Sequence, residues 1–229
     1  MIRQRGRVDA LPRHTLVWPV ASAHARLAAQ FDDDEAHAAL DAWFGRGFPL
    51  VVRRADAGTR SGVAVGLPLP PDRGKRRLAM KLARGDVACF SAPPTLAHIA
   101  IGLAETWRWP LAALDRDARS IGVTLRGFGS AAWQALTGLA YLHDDSDIDL
   151  LLAPASAAQL DATLALFERW ERNARRRIDA EIVFDGDRAV AWREWVRAAD
   201  GSVVLAKARE GAALVPRASL AGRLPAGTP

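Results

Sequence analysis

Cysteine is almost absent from this sequence: Cys89 stands alone among 229 residues. A single thiol excludes an internal disulfide and any zinc site built from several cysteines, and it fits a reducing compartment. Within Val87-Ala88-Cys89-Phe90 it reads most simply as a small core residue. Lysine is scarce as well, limited to Lys75, Lys81 and Lys207, so arginine supplies nearly all the positive charge. No apolar run approaches the roughly 18 residues of a membrane span. The opening Met1-Ile2-Arg3-Gln4-Arg5-Gly6-Arg7 lacks the apolar centre of a secretory signal. A cytoplasmic location and no membrane partner are therefore expected. The aromatic strands, glycine-rich clamp loops and zinc-finger spacings of nucleic-acid readers are missing too, so no nucleic-acid partner is expected.

What is present is an ordinary globular composition, 50% apolar and 25% charged, long enough for one large or two modest domains with real cores. A net charge of +5 and a pI of 10.3 point to an anionic partner. The interleaving of strand-like and helix-like segments predicts a mixed α/β (α+β) architecture: a smaller α+β domain over residues 1–88, a second domain of mixed sheet and helices over 89–220, and a tail over 221–229. In the first part, residues 49–54 and 63–67 read as strands around a helix over 33–44 whose apolar face carries Ala36, Leu40 and Trp43 or Phe44. The proline-rich stretch 67–74 reads as an ordered loop. Pro93-Pro94 precedes a helix over 95–107.

The second part predicts a strand over 123–128, a short helix over 131–136, a strand over 148–152 and a long helix over 156–177. That helix carries a capping box from Ser156 to Gln159 and an apolar stripe of Leu160, Leu164, Phe167 and Trp170. Further strands follow over 179–184 and 203–206. The chemistry concentrates here. In Asp147-Ile148-Asp149-Leu150-Leu151-Leu152, alternation puts both carboxylates on one face, roughly 7 Å apart along the strand, while Ile148, Leu150 and Leu152 enter a core. Two like charges so placed favour a cation between them, and hard oxygen ligands suit magnesium, with manganese as a substitute. Gly129-Ser130 precedes this strand. Gly129 allows a close backbone approach, and Ser130 opens a helix whose free N–H groups favour a phosphate.

Strand, Gly-Ser, helix, loop and Asp-x-Asp strand in this order resemble the polymerase beta-like nucleotidyltransferase superfamily. That resemblance implies a third acid on a later antiparallel strand. Asp179 and Glu181 share the face opposite Ile178, Ala180 and Ile182, and either can reach a metal; Glu181 is taken as the third ligand beside Asp147 and Asp149.

More specific motifs run in order along nearly the whole chain. They are Arg13-His14-Thr15-Leu16-Val17-Trp18, Gly66-Leu67-Pro68-Leu69-Pro70 with Gly74-Lys75-Arg76-Arg77, the stretch from Gly129 through Tyr141-Leu142-His143 into Ser146-Asp147-Ile148-Asp149, and Ala191-Trp192-Arg193-Glu194-Trp195. On these the chain resembles the phosphoribosyl-dephospho-CoA transferase family of bacterial malonate decarboxylase, the holo-acyl-carrier-protein synthases. The resemblance implies a magnesium-dependent transferase that moves a phosphoribosyl-dephospho-CoA group from 2'-(5''-triphosphoribosyl)-3'-dephospho-CoA to a serine of the acidic acyl carrier subunit and releases pyrophosphate. Asp147 and Asp149 then carry the catalysis, and Gly129, Ser130, Lys75 and Arg76 are expected on the donor's phosphates. Lys75, Arg76 and Arg77 also read as a solvated basic turn. His14 and His143 read as structural before they read as phosphate ligands, and Trp133 as core before an adenine platform. Trp192 and Trp195 read as one packed helix face, and Lys207 as a lesser candidate for phosphate. Two other readings stay open: a nucleotidyltransferase using a nucleoside triphosphate on RNA, another protein or a small molecule, and a basic interaction module without activity.

Overall fold

Short apolar runs of strand period, separated by turns, build two sheets rather than one. In a computed structural model that describes all residues except 1, 7, 9, 56–60, 75, 185–186 and 225–229, the chain divides into two compact units. One comprises residues 1–93 with 209–211, the other residues 94–208 with 212–229.

The first unit holds β1 (Leu16–Pro19), α1 (His24–Ala28), α2 (Asp34–Gly45), β2 (Leu50–Val52), β3 (Val63–Pro68), β4 (Arg77–Leu82) and β5 (Val87–Ser91). The strands pair antiparallel in the order β4-β3-β2-β1-β5. Helix α2 begins where Asp33 accepts a hydrogen bond from the Ala36 N–H at 2.8 Å, and it buries Ala36, Leu40 and Trp43, as its period predicts. The proline stretch departs from the loop expected over 67–74 in that Leu67 and Pro68 end β3, paired with Leu78 and Arg77; one turn of 3-10 helix follows at Pro71–Arg73. Cys89 departs from expectation. It lies half-buried on β5, an edge strand, opposite Trp18, and not in the core. Because β5 pairs with β1, the first unit extends to Pro93, and an edge at residue 88 would cut a strand.

The second unit holds α3 (Leu96–Ile101), α4 (Glu105–Ser120), β6 (Arg126–Gly127), α5 (Gly129–Thr137), β7 (Ile148–Leu152), α6 (Ala157–Ala174), β8 (Ile178–Phe184), β9 (Arg188–Ala191), α7 (Trp192–Arg197), β10 (Val203–Ala208), β11 (Gly211–Pro216) and α8 (Arg217–Ala221). Its sheet runs β11-β10-β9-β8-β7-β6. The helix expected over 95–107 is two helices, broken where Ala104 turns extended; the Arg108 guanidinium donates to the Leu103 carbonyl exposed by the break, at 2.9 Å. The strand expected over 123–128 shrinks to β6, since the Val123 N–H bonds the Ala118 carbonyl at the end of α4 and Phe128 becomes the N-cap of α5.

The largest correction concerns β8, which pairs parallel with β7 and not antiparallel: Ile148 faces Ile178, Asp149 faces Asp179, and Leu151 faces Glu181. The physical reason is α6. A crossover helix returns the chain to the starting end of the sheet, so the next strand runs the same way. Ser156 caps this helix by accepting from the Gln159 N–H at 3.2 Å. The apolar sides of β7 and β8, namely Ile148, Leu150, Leu152, Ile178, Ala180 and Ile182, form one cluster with Leu160, Leu164, Phe167 and Trp170 of α6. That leaves the polar side of β7 to carry Asp149.

Candidate active site

The site begins with a steric fit. Gly129 has φ +62, and a Cβ built on it would overlap the Asp149 carboxylate. Any other residue here would suffer twice, from left-handed strain and from the collision. The glycine expected to admit a phosphate thus also seats Asp149 against the first turn of α5. The N-cap residue, Phe128, makes no side-chain capping hydrogen bond, and its own N–H goes to the Asp149 carbonyl at 3.1 Å. The N-terminal N–H groups and positive dipole end of a nine-residue helix therefore lie beside the Asp149 carboxylate.

Asp147 stands one pleat before Asp149, its side chain 41% exposed, with Arg177 Nε 3.8 Å from its Oδ1. The loop that delivers it is tied to α5. Gln134 Oε1 accepts from the N–H groups of Tyr141 and Leu142 at 3.0 and 2.9 Å, and the His143 N–H donates to Ser146 Oγ at 2.9 Å. Arg176 donates to the Asp144 carbonyl at 2.7 Å and lies over the Trp107 ring at 3.7 Å.

The two candidates for a third carboxylate occupy different surroundings. Asp179 is exposed and stands next to Asp149 in the parallel register. Glu181 stands next to Leu151, is buried, and is ion-paired to Lys207 Nζ at 3.3 Å. Among the described residues no three His, Cys, Asp or Glu side chains are gathered as a ready ligand set. The carboxylates of Asp147 and Asp149 are hard oxygen donors, the kind that a magnesium-type centre takes in ones or twos, with water and substrate phosphate completing its octahedron.

Lys75 lies outside the described residues. Arg76 belongs to the first unit, where its guanidinium grips Asp33 at 2.6 and 2.8 Å and Glu35 at 3.2 Å. The pair shows in the acid: hydrogen bonds from Arg76, then from the Ala36 N–H, pull the Asp33 carboxyl down to about 2. With two carboxylates on it, Arg76 anchors the start of β4 to the cap of α2, which is a structural duty. His14 is half-buried at φ 67 and takes a 2.9 Å contact from Arg13; His143 is exposed. Trp133 is buried, its ring 6.5 Å from that of Tyr141, so it is core and not an adenine platform.

The motif Ala191-Trp192-Arg193-Glu194-Trp195 also acquires a physical role. Trp192 Nε1 donates to the Ile178 carbonyl at 2.9 Å, and Glu171 accepts from both the Ile178 N–H, at 2.6 Å, and Arg193. Glu194 accepts from the Leu205 N–H at 2.6 Å, and Trp195 packs on Phe184 with ring centroids 4.9 Å apart. The motif thereby fixes the start of β8 beside β7. Arg176, Arg177 and Gln134 are the neighbours of the site that sequence reading missed. Only the register of β8 against β7, invisible before the crossover is known, would have singled out Arg177.

Comparison with known proteins follows the same division of the chain. Residues 12–93 match the family model described as phosphoribosyl-dephospho-CoA transferase MdcG N-terminal domain, and residues 95–218 the model of the corresponding C-terminal domain. A phosphoribosyl-dephospho-CoA transferase of Xanthomonas campestris pv. campestris strain 8004 is 39% identical over 209 residues, covering 91% of this chain and 95% of the relative. The Bradyrhizobium diazoefficiens protein of the same name is 37% identical over 183 residues, 80% of each chain, and that of Azotobacter vinelandii 33% identical over 213 residues, 88% of this chain and 91% of the relative. No solved structure matches. By both domain matches and by these identities over most of its length, the chain belongs to the phosphoribosyl-dephospho-CoA transferase family of enzymes.

Proposed function

We propose that this protein transfers the phosphoribosyl-dephospho-CoA group of 2'-(5''-triphosphoribosyl)-3'-dephospho-CoA to a serine hydroxyl of the acidic acyl carrier subunit of malonate decarboxylase. The observation that carries the chemistry is the seating of Asp149 against Gly129, with Asp147 two residues earlier, just before β7, and the start of α5 beside Asp149. Asp147 and Asp149 would hold magnesium or manganese, and Asp179 is the better third carboxylate. Glu181, the residue expected from alternation and the superfamily resemblance, is buried and ion-paired to Lys207, whereas Asp179 is exposed next to Asp149. A bound divalent cation supplies charge neutralisation for a polyphosphate and for the pyrophosphate as it leaves.

The chain's own groups do the positioning. The N–H groups at Gly129-Ser130 point at the donor's phosphates, and the rigid β7–β8 pair holds the carboxylates that fix their orientation. The serine oxygen forms a bond to the α-phosphorus, the bond from that phosphorus to the bridging oxygen breaks, pyrophosphate departs and the hydroxyl proton is released. The protein is expected to act in the cytoplasm; no helix of the described residues is long and apolar enough to cross a membrane.

The test is a mass measurement. Protein, magnesium, the triphosphoribosyl donor and the apo acyl carrier should raise the carrier's mass by one phosphoribosyl-dephospho-CoA group, and the gain should vanish when the carrier serine is replaced by alanine. Asp147→Asn and Asp149→Asn should keep the circular dichroism spectrum and lose turnover by several orders of magnitude, since these side chains leave the core. Transfer of AMP from ATP to another acceptor, with the carrier untouched, would overturn the assigned donor and acceptor.

A further inference from the structure

Three consecutive arginines join α6 to β8, and their environments differ. Arg175 ends the helix in a left-handed conformation, φ 52. Arg176 is held twice, by its stacking on Trp107 and its hydrogen bond to the Asp144 carbonyl. Arg177 is held loosely. Its carbonyl accepts from the Ile148 N–H at 2.8 Å, which places it beside Asp147 at the head of the parallel pair, yet its side chain is 71% exposed. Its single ion pair among the described residues is the 3.8 Å contact of Nε with Asp147 Oδ1. At that separation the contact is electrostatic and not a hydrogen bond, so it fixes neither partner's rotamer.

A loosely held guanidinium next to a carboxylate suited to a divalent cation faces a conflict. Once a cation engages Asp147, the arginine loses its counter-charge and is repelled. The flexible, exposed side chain then has one kind of group within reach that both charges favour, a phosphate oxygen shared with the cation. Guanidinium matches such oxygens in a bidentate way that ammonium does not. We propose that Arg177 is a displaceable counter-ion: it balances Asp147 while the site is empty, and it moves onto the donor's polyphosphate when the site fills. This rests on the metal reading of Asp147 and Asp149, and it adds a phosphate-contacting residue that the motifs did not supply.

The conflict predicts effects of opposite sign, which a merely structural residue would not give. In the full-length protein, Mn2+ binding alone is followed by electron paramagnetic resonance, and inorganic tripolyphosphate binding in saturating Mg2+ by calorimetry. Arg177→Ala should tighten Mn2+ binding a few-fold, because a competing positive charge is gone. The same variant should weaken tripolyphosphate roughly 10- to 100-fold, the usual worth of a hydrogen bond to a charged group. Arg177→Lys should recover only part of the tripolyphosphate affinity. The proposal is overturned if Arg177→Ala weakens Mn2+ and tripolyphosphate alike, which marks a positioning role for Asp147, or if it leaves tripolyphosphate unaffected. A wild-type protein that binds no Mn2+, or whose Mn2+ binding survives Asp149→Asn, removes the metal reading itself and this inference with it; the first two results leave that reading intact.

Discussion

A glycine and an aspartate twenty residues apart define this site more narrowly than either motif does alone. The sequence made Asp147 and Asp149 legible because strand alternation is a rule of period two, and the apolar residues between and after them fix which face each carboxylate takes. The contact of Gly129 with Asp149 was not legible, because it depends on how α5 meets β7. It makes a sharp prediction. Gly129→Ala must change φ or push the Asp149 carboxylate aside; backbone strain of this kind costs about 1–3 kcal/mol. Thermal unfolding should show that loss, and transfer activity should fall far more than the stability change explains, since Asp149 is displaced from the position proposed to hold a metal. Wild-type turnover with an unchanged melting temperature would refute the fit. Arg76 shows the converse limit: its partner Asp33 lies 43 residues away in the chain, so a basic run that suggested phosphate was legible while the ion pair that engages it was not.

Among the elements, α6 and β8 explain most of what sequence reading got right and wrong. The Ser156 cap and the apolar stripe of α6 follow from local rules and appear in the structure, but the helix ends at Ala174, short of the expected Arg177, because Arg175 turns left-handed. The direction of β8 does not, because pairing partners are set by the whole sheet and not by the strand's own pattern. That direction separates two acids that alternation alone leaves equivalent. Both Asp179 and Glu181 turn from the apolar cluster, but the parallel register puts only Asp179 level with Asp149. Asp179→Asn should therefore abolish transfer with little change in stability, as expected for an exposed side chain. Glu181→Gln should keep measurable turnover yet destabilise the protein, since it leaves Lys207 without its counter-charge. Paired denaturation and turnover measurements on both variants decide the matter, and an active Asp179→Asn protein would return the third position to Glu181.

For the molecule as a whole, composition bounded the answer without locating it. The apolar share indicated a globular protein and the interleaving of strand and helix patterns an α+β class, and the elements of both units bear out that class. The two units themselves were harder to delimit, because β5, which ends the first, is a half-buried edge strand whose partner lies at the other end of that unit's sequence. The excess of positive charge, +5 with arginine supplying nearly all the cationic residues, is the global property from which a functional prediction follows. If the acceptor is an acidic carrier, long-range attraction should raise the rate of encounter while leaving chemistry in the formed complex untouched. The screening length falls from about 30 Å at 0.01 M salt to about 3 Å at 1 M. Across that range kcat/KM for the carrier should drop steeply at saturating donor, whereas kcat should change little, because the reacting groups are then in contact and poorly screened. A kcat that falls in parallel with kcat/KM would place the salt effect at the metal and phosphate site, and a kcat/KM indifferent to salt would show that the charge plays no part in recruiting the carrier.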